Sequence, residues 1–127
     1  MAEPVTLITC SGLSNTGKLT GRAGMVVQQR SPGSVEALLP ASRPLEEAAR
    51  HAGRILALDG CEDACALRKL RELGVEPDLH VVATECGIVK NGMAEPRFDE
   101  IERLAGAVLA AVRGSPPPPR GGDREEP

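Results

Sequence analysis

Apolar residues along this chain alternate between two textures. Continuous runs, at Val5 to Thr9, Arg54 to Leu58 and Leu79 to Thr84, are separated by stretches in which apolar positions recur every three or four residues. Continuous runs suit strands buried on both faces of a parallel sheet, whereas the wider spacing marks a helix face. Leu19, Ala23, Val26 and Val27, closed by the stem of Arg30, form such a face from about Asn15 onward. Leu45, Ala48, Ala49 and Ala52 form another between Ser42 and Ala52, with Pro44 in its first turn and Gly53 at its end. Cys61 to Leu73 reads as a third helix. Glu62 and Asp63 lie in its first turn, Arg68, Lys69 and Arg71 follow, and Gly74 stops it. Pro96 opens a fourth, whose stripe of Phe98, Ile101, Leu104, Ala105, Val108, Leu109 and Val112 is the clearest in the chain.

Val35 to Leu39, closed by Pro40, reads as one more short strand. Strands alternating with helices predict a small Rossmann-like α/β fold, a three-layer sandwich around a three- or four-stranded, mainly parallel sheet. Gly17, Gly21 and Gly24 interrupt the first helix, where each costs about 1 kcal/mol relative to alanine; close packing on the sheet would account for them. At 127 residues and 13.3 kDa the chain has room for a single domain, residues 1–113. The remainder, 114–127, is rich in Pro and Gly and carries no apolar side chain to offset ordering entropy, so a disordered tail is expected there.

Composition narrows the function classes. Hydrophobic residues make up 41% of the chain, yet Phe98 is its only aromatic, so Leu, Val, Ile and Ala must build the core and nothing is available to stack on bases. A net charge of -3 gives no general attraction to nucleic acid or to an anionic membrane. No apolar stretch has the length of a membrane span, and the first residues lack the basic and apolar regions of a signal peptide. The reading is a cytoplasmic protein, in which four cysteines serve as thiols, metal ligands or a redox pair rather than as a disulfide framework.

Three of those cysteines follow strand-like runs: Cys10 after Val5 to Thr9, Cys61 after Ile55 to Gly60, and Cys86 after Leu79 to Glu85. Cys65 lies one helical turn beyond Cys61. Ligands of open α/β sheets bind outside the carboxyl ends of the strands, so these thiols are expected to converge. Four thiolates suit a tetrahedral zinc ion; an iron-sulfur cluster is a lesser alternative, and buried structural cysteines are the bland one. Asp59 can cap free amides or support a ligand from behind, and Gly60 permits a sharp strand-to-helix bend.

The segments Cys10-Ser-Gly-Leu-Ser-Asn-Thr-Gly-Lys-Leu, Asp59-Gly-Cys-Glu-Asp-Ala-Cys-Ala and Thr84-Glu-Cys-Gly-Ile-Val-Lys-Asn, in that order, resemble the successive signatures of the DGC-domain family, named for Asp-Gly-Cys. The resemblance covers about Val5 to Asn91. It implies an α/β domain with a cysteine-bound zinc and does not imply an established reaction. Cys10, Cys61 and Cys65 match the family's cysteine positions. The chain departs from the pattern at the fourth, which the family carries near the second strand's end, here Ala37-Leu-Leu-Pro40. Cys86 stands instead where an apolar residue is usual. Either Cys86 supplies the missing ligand, or three cysteines bind a metal whose fourth position is filled by water or substrate.

Other motifs compete. A thiol enzyme would use Cys10 or Cys61 as nucleophile and Cys65 or Cys86 as resolving thiol. Gly12-Leu-Ser-Asn-Thr-Gly17-Lys18-Leu19 nearly matches a phosphate-binding P-loop, but Leu19 replaces the hydroxyl that would hold Mg²⁺. Anion binding by its amides, with Ser11, Ser14, Asn15 and Lys18, is the milder form of that reading. Helix capping accounts better for Ser11 and Ser14, and solvent-facing roles for His51 and His80.

Overall fold

The computed structural model describes residues 4–10, 12, 14–41 and 45–114. The expected first turn of the second helix at residues 42–44, the anion-site candidate Ser11 and the tail beyond Gly114 lie outside the described residues. Four strands, β1 (Val5–Thr9), β2 (Val35–Pro40), β3 (Ile55–Asp59) and β4 (Leu79–Val82), form one parallel sheet in the order β2-β1-β3-β4. The helices are α1 (Asn15–Arg30), α2 (Glu46–His51), α3 (Cys65–Glu72) and α4 (Phe98–Val112), and a 3-10 turn, Ala83–Cys86, extends β4. The predicted Rossmann-like sandwich is therefore present, with the larger of the two expected strand counts.

Strand alternation sorts the core into two layers. Val5, Leu7, Leu56 and Leu58 point to one face and pack with Leu19, Ala23 and Val27 of α1 and with Leu104, Ala105, Val108 and Val112 of α4. Ile8, Ile55 and Ala57 point to the other and pack with Ala49 of α2 and with Ala66 and Leu70 of α3. All five residues of β1 and of β3 are buried, as their continuous apolar character requires. Among the described residues no helix is long and apolar enough to cross a membrane.

Three expectations need correction. The helix placed over Cys61 to Leu73 begins only at Cys65: residues 61–64 form a turn, with Ala64 N-H donating to Cys61 O (3.0 Å), and Ala64 has left-handed backbone (φ 52°). No acidic residue stands in the first turn of α3, because the carboxylate of Asp59 reaches its free amides from outside. The last strand stops at Val82 and tightens into the 3-10 turn, closed by Gly87 (φ 88°). Phe98, assigned to the buried stripe of α4, is 74% exposed at the helix's first position, and the stripe starts at Ile101. The end of α3 matches expectation: Gly74 N-H bonds Arg71 O (3.0 Å) and Val75 N-H bonds Leu70 O (2.9 Å), the pair of a Schellman cap with Gly74 left-handed.

The helix glycines differ among themselves. A Cβ on Gly17 would meet the Gly12 carbonyl oxygen at 2.6 Å, and one on Gly24 would meet Leu38 at 2.8 Å, whereas Gly21 has nothing within 4 Å. Close packing thus explains two of the three. Gly21→Ala should raise unfolding stability by about 0.5–1 kcal/mol, the ordinary helix gain, and Gly17→Ala should lower it by about 1 kcal/mol or more. Paired urea titrations check the opposite signs.

Candidate functional site

The strand order contains one reversal. The chain leaves β1 toward β2 and leaves β3 toward β4, so the adjacent carboxyl ends of β1 and β3 mark the switch point where α/β sheets bind ligands. Cys10 and the segment Asp59 to Cys65 start from those two ends. Cys10 N-H donates to Leu58 O (2.9 Å), and Thr20 Oγ1 donates to Cys10 O (2.9 Å), which ties the loop to α1. Gly60 is pressed against the first turn of α1: a Cβ there would lie 2.7 Å from the Thr16 carbonyl.

Asp59 is fully buried, and its carboxylate accepts three hydrogen bonds. Ala66 N-H binds Oδ1 (2.6 Å), while Leu67 N-H (3.2 Å) and His80 Nε2 (2.8 Å) bind Oδ2. The carboxylate therefore caps α3 and fixes the position of Cys65, its first residue. His80, read from sequence as solvent-facing, keeps 29% of its side chain exposed but is anchored inward. Only the strand-end position of Asp59 hinted at this, since 21 residues separate the partners. His51 is exposed and bonds Glu47 O through Nδ1 (2.9 Å).

The thiols divide. Cys10 and Cys65 sit close enough for the charge of one to act on the other. Burial pushes the Cys10 thiol up, and negative charge on Cys65 and Asp59 pushes the same way, against hydrogen bonds from the Gly12 and Gly60 amides. Cys61 is turned elsewhere: Lys90 Nζ donates to its Sγ (3.6 Å), and its Sγ lies 3.6 Å from Asp63 Oδ2. The Lys90 ammonium is held above its ordinary range chiefly by charge on Cys61. Cys86 is 5% exposed and belongs to the core layer of α1 and α4, on the sheet face opposite α3.

These positions test the zinc that the resemblance implies. Thiolate is suitable donor chemistry, and Cys10 with Cys65 makes a pair at the switch point. Among the described residues, however, no three His, Cys, Asp or Glu side chains stand where they could hold one ion together. The four cysteines do not fit a closed tetrahedral cage as they stand.

The P-loop-like segment is occupied by its own chain. Ser14 Oγ accepts from Gly17 N-H (3.1 Å) and caps α1. Asn15, 3% exposed, binds the crossing segment through Nδ2 to Val89 O (2.9 Å), Oδ1 from Asn91 N-H (2.6 Å) and N-H to Gly92 O (2.8 Å). Lys18 Nζ bonds Met93 O and Glu95 Oε2, both at 2.9 Å. The three signature segments of the sequence are thus in mutual contact, the first with the third through Asn15 and the second with the third through Cys61 and Lys90.

Two cavities adjoin this region. One, of about 460 Å³, lies between residues 87–95 and the start of α4; its acids Glu95 and Asp99 are paired with Lys18, Arg22 and Arg97, Glu100 accepts from Arg97 N-H, and among the described residues no thiol lines it. The other, of about 260 Å³, is walled by Ala41, Cys65, Arg68, Lys69 and Glu72.

A parallel α/β domain with thiols gathered at its switch point is the class these observations define. The family model of the DGC domain matches residues 6–108, and the chain belongs to that family. No curated protein and no solved structure matches it.

Two outcomes follow from this geometry. With a raised pKa, Cys10 carries less thiolate than a free cysteine at any given pH, so its alkylation by iodoacetamide in reduced, chelator-treated protein should rise at higher pH than that of free cysteine; Cys65→Ser should shift the curve downward. Asp59→Ala removes the cap of α3 and should cost about 1–2 kcal/mol in urea unfolding, with amide exchange accelerated first at Ala66 and Leu67.

Proposed function

We propose that this chain is a zinc-binding protein whose anchoring ligands are the thiolates of Cys10 and Cys65; Cys61 becomes the third only by leaving its Lys90 contact, since no three donors among the described residues stand together in the metal-free geometry. The observation that carries this reading is the placement of two thiols and the buried Asp59 carboxylate together at the switch point. Cys65 and Asp59 act on Cys10 in the same unfavourable sense, and a cation between the thiols would reverse it. Asp59 would serve from behind, holding α3 and hence Cys65 in place. Gly12 and Gly60 amides would stabilise the Cys10 sulfur as thiolate.

Three protein ligands would leave a fourth position for an exogenous group, the arrangement of zinc sites that act on a ligand rather than merely hold a fold. Cys86 has no part in this set. It is buried in the core layer of α1 and α4, on the sheet face opposite α3. Because each thiol must lose its proton to bind metal, affinity should increase with pH.

Elemental mass spectrometry on protein purified without a metal-affinity tag tests the proposal. About one zinc per chain is expected, in keeping with a single site. It should be lost in Cys10→Ser and Cys65→Ser, weakened or lost in Cys61→Ser and kept in Cys86→Ser. Metal-free wild-type protein from carefully reduced preparations would refute zinc binding, and loss in Cys86→Ser with an intact fold would refute the three-ligand assignment.

A further inference from the structure

The surroundings of Cys65 differ from those of the other thiols in a way that zinc binding does not use. Cys65 is exposed and forms part of the wall of the 260 Å³ cavity, beside Arg68, Lys69 and Glu72 of the next turns of α3. Arg68 donates through NH2 to the Cys65 sulfur (3.9 Å). Two cations against one acid give the wall a positive balance.

A second thiol, Cys10, stands close to Cys65 without lining the cavity. Ala41 forms its far wall and is tied to the end of β1 by N-H donation to Thr9 O (2.8 Å); Cys10 is the next residue and is tied to β3 through Leu58 O (2.9 Å). Asp59, the end of β3, holds the first turn of α3. The row Ala41, Cys10, Cys65 therefore runs across the carboxyl ends of adjacent strands. An exposed thiol in a cationic cavity, with a less exposed thiol close to it, is an arrangement for exchange with a small disulfide.

The geometry points to the Cys65 cavity as a binding site for small disulfides that carry carboxylates, with Cys65 as the attacking thiol and Cys10 as the resolving one. This goes beyond the zinc reading and concerns the same two thiols when no metal holds them. Arg68 and Lys69 receive the carboxylates. The Cys65 thiolate attacks one sulfur of the small disulfide, whose S-S bond breaks and releases one small thiolate. The Cys10 thiolate then attacks the Cys65 sulfur, the mixed disulfide breaks, and a second small thiolate leaves. One Cys10-Cys65 disulfide is formed, one small disulfide is reduced to two thiols, and the protons of the two cysteines pass to the leaving thiolates.

The sequence alone suggested the opposite assignment, with Cys10 or Cys61 in the attacking role. Exposure decides against Cys10, which is half-buried, and Cys61 faces Lys90 and lies outside this cavity.

The test uses the full chain, reduced and held in chelator, and follows intact mass with time at low ionic strength. Glutathione disulfide supplies an anionic probe and cystamine a cationic one, each rate being divided by that of the same disulfide with free cysteine. The anionic probe should react about fivefold faster after this normalisation, the order expected for one favourable charge contact near a surface. The preference should shrink in an Arg68→Gln/Lys69→Gln variant, and peptide mapping of the wild-type product should find Cys10 joined to Cys65. In Cys10→Ser the mixed disulfide on Cys65 should persist. Equal or reversed rates for the two probes, or a product on Cys61 or Cys86, would overturn the proposal. Metal content is measured separately, so zinc binding and disulfide exchange can fail independently.

Discussion

Asp59 ends β3 with a side chain that solvent does not reach, and its two oxygens hold donors from two other elements. Two are the free amides of α3 and the third is the imidazole of His80 on β4. A carboxylate in such a place is tolerable only when its lone pairs are filled, and here they are filled by groups that would themselves be left wanting. One side chain thereby ties the end of a central strand, the start of a helix and the edge strand. The position of Cys65 and the orientation of the cavity beside it depend on that tie.

A second constraint is the closeness of three backbones at the same sheet end. The Gly12 carbonyl nearly touches Gly17, and Gly60 nearly touches Thr16, at separations that leave no room for a Cβ. The loops after β1 and β3 are thus pressed against the start of α1, where Ser14 caps the helix and Asn15 binds residues 89–92. What resembles a phosphate cradle is filled from within: Lys18 spends its donors on Met93 and Glu95, and Asn15 on the crossing segment. The glycines serve close contact between segments of one chain.

Much of this fold was legible from the sequence because buried parallel strands must be continuously apolar. Val5 to Thr9 and Ile55 to Leu58 announce themselves, and so does the α4 stripe from Ile101 onward. The failures share a cause, which is that local patterns were overridden by distant partners. Glu62 and Asp63 look like the acidic first turn of a helix, but Asp59 already supplies the cap, and the chain makes a left-handed turn at Ala64 first. Phe98 has helical spacing with Ile101 yet sits at the helix's first position, beyond the layer that α1 and the sheet cover. The Asp59-His80 contact could not be inferred from spacing, because strand register alone places β4 beside β3. At the site, the strand-end positions of Cys10 and Cys61 were visible in the sequence. Which face each thiol takes was not, since that is set by the turn at residues 61–64 and by the burial of the turn after β4.

The separation of the thiols follows from charge as much as from topology. Cys61 and Cys65 are four residues apart, and on a helix both sulfurs would stand on one face. Because the helix starts only at Cys65, the two part company: Lys90 draws Cys61 toward residues 89–92, while Arg68 attends Cys65 across the first turn of α3. Cys61 and Cys65 each have a cation, Lys90 and Arg68, whereas Cys10 has backbone amides against burial and the negative charge of its neighbours. Bringing a cation to Cys10 and Cys65 relieves that imbalance directly, whereas joining their sulfurs removes the charge altogether. The same electrostatic tension at one sheet end would thus be relieved by either proposed fate of the pair, a bound cation or a joined pair of sulfurs.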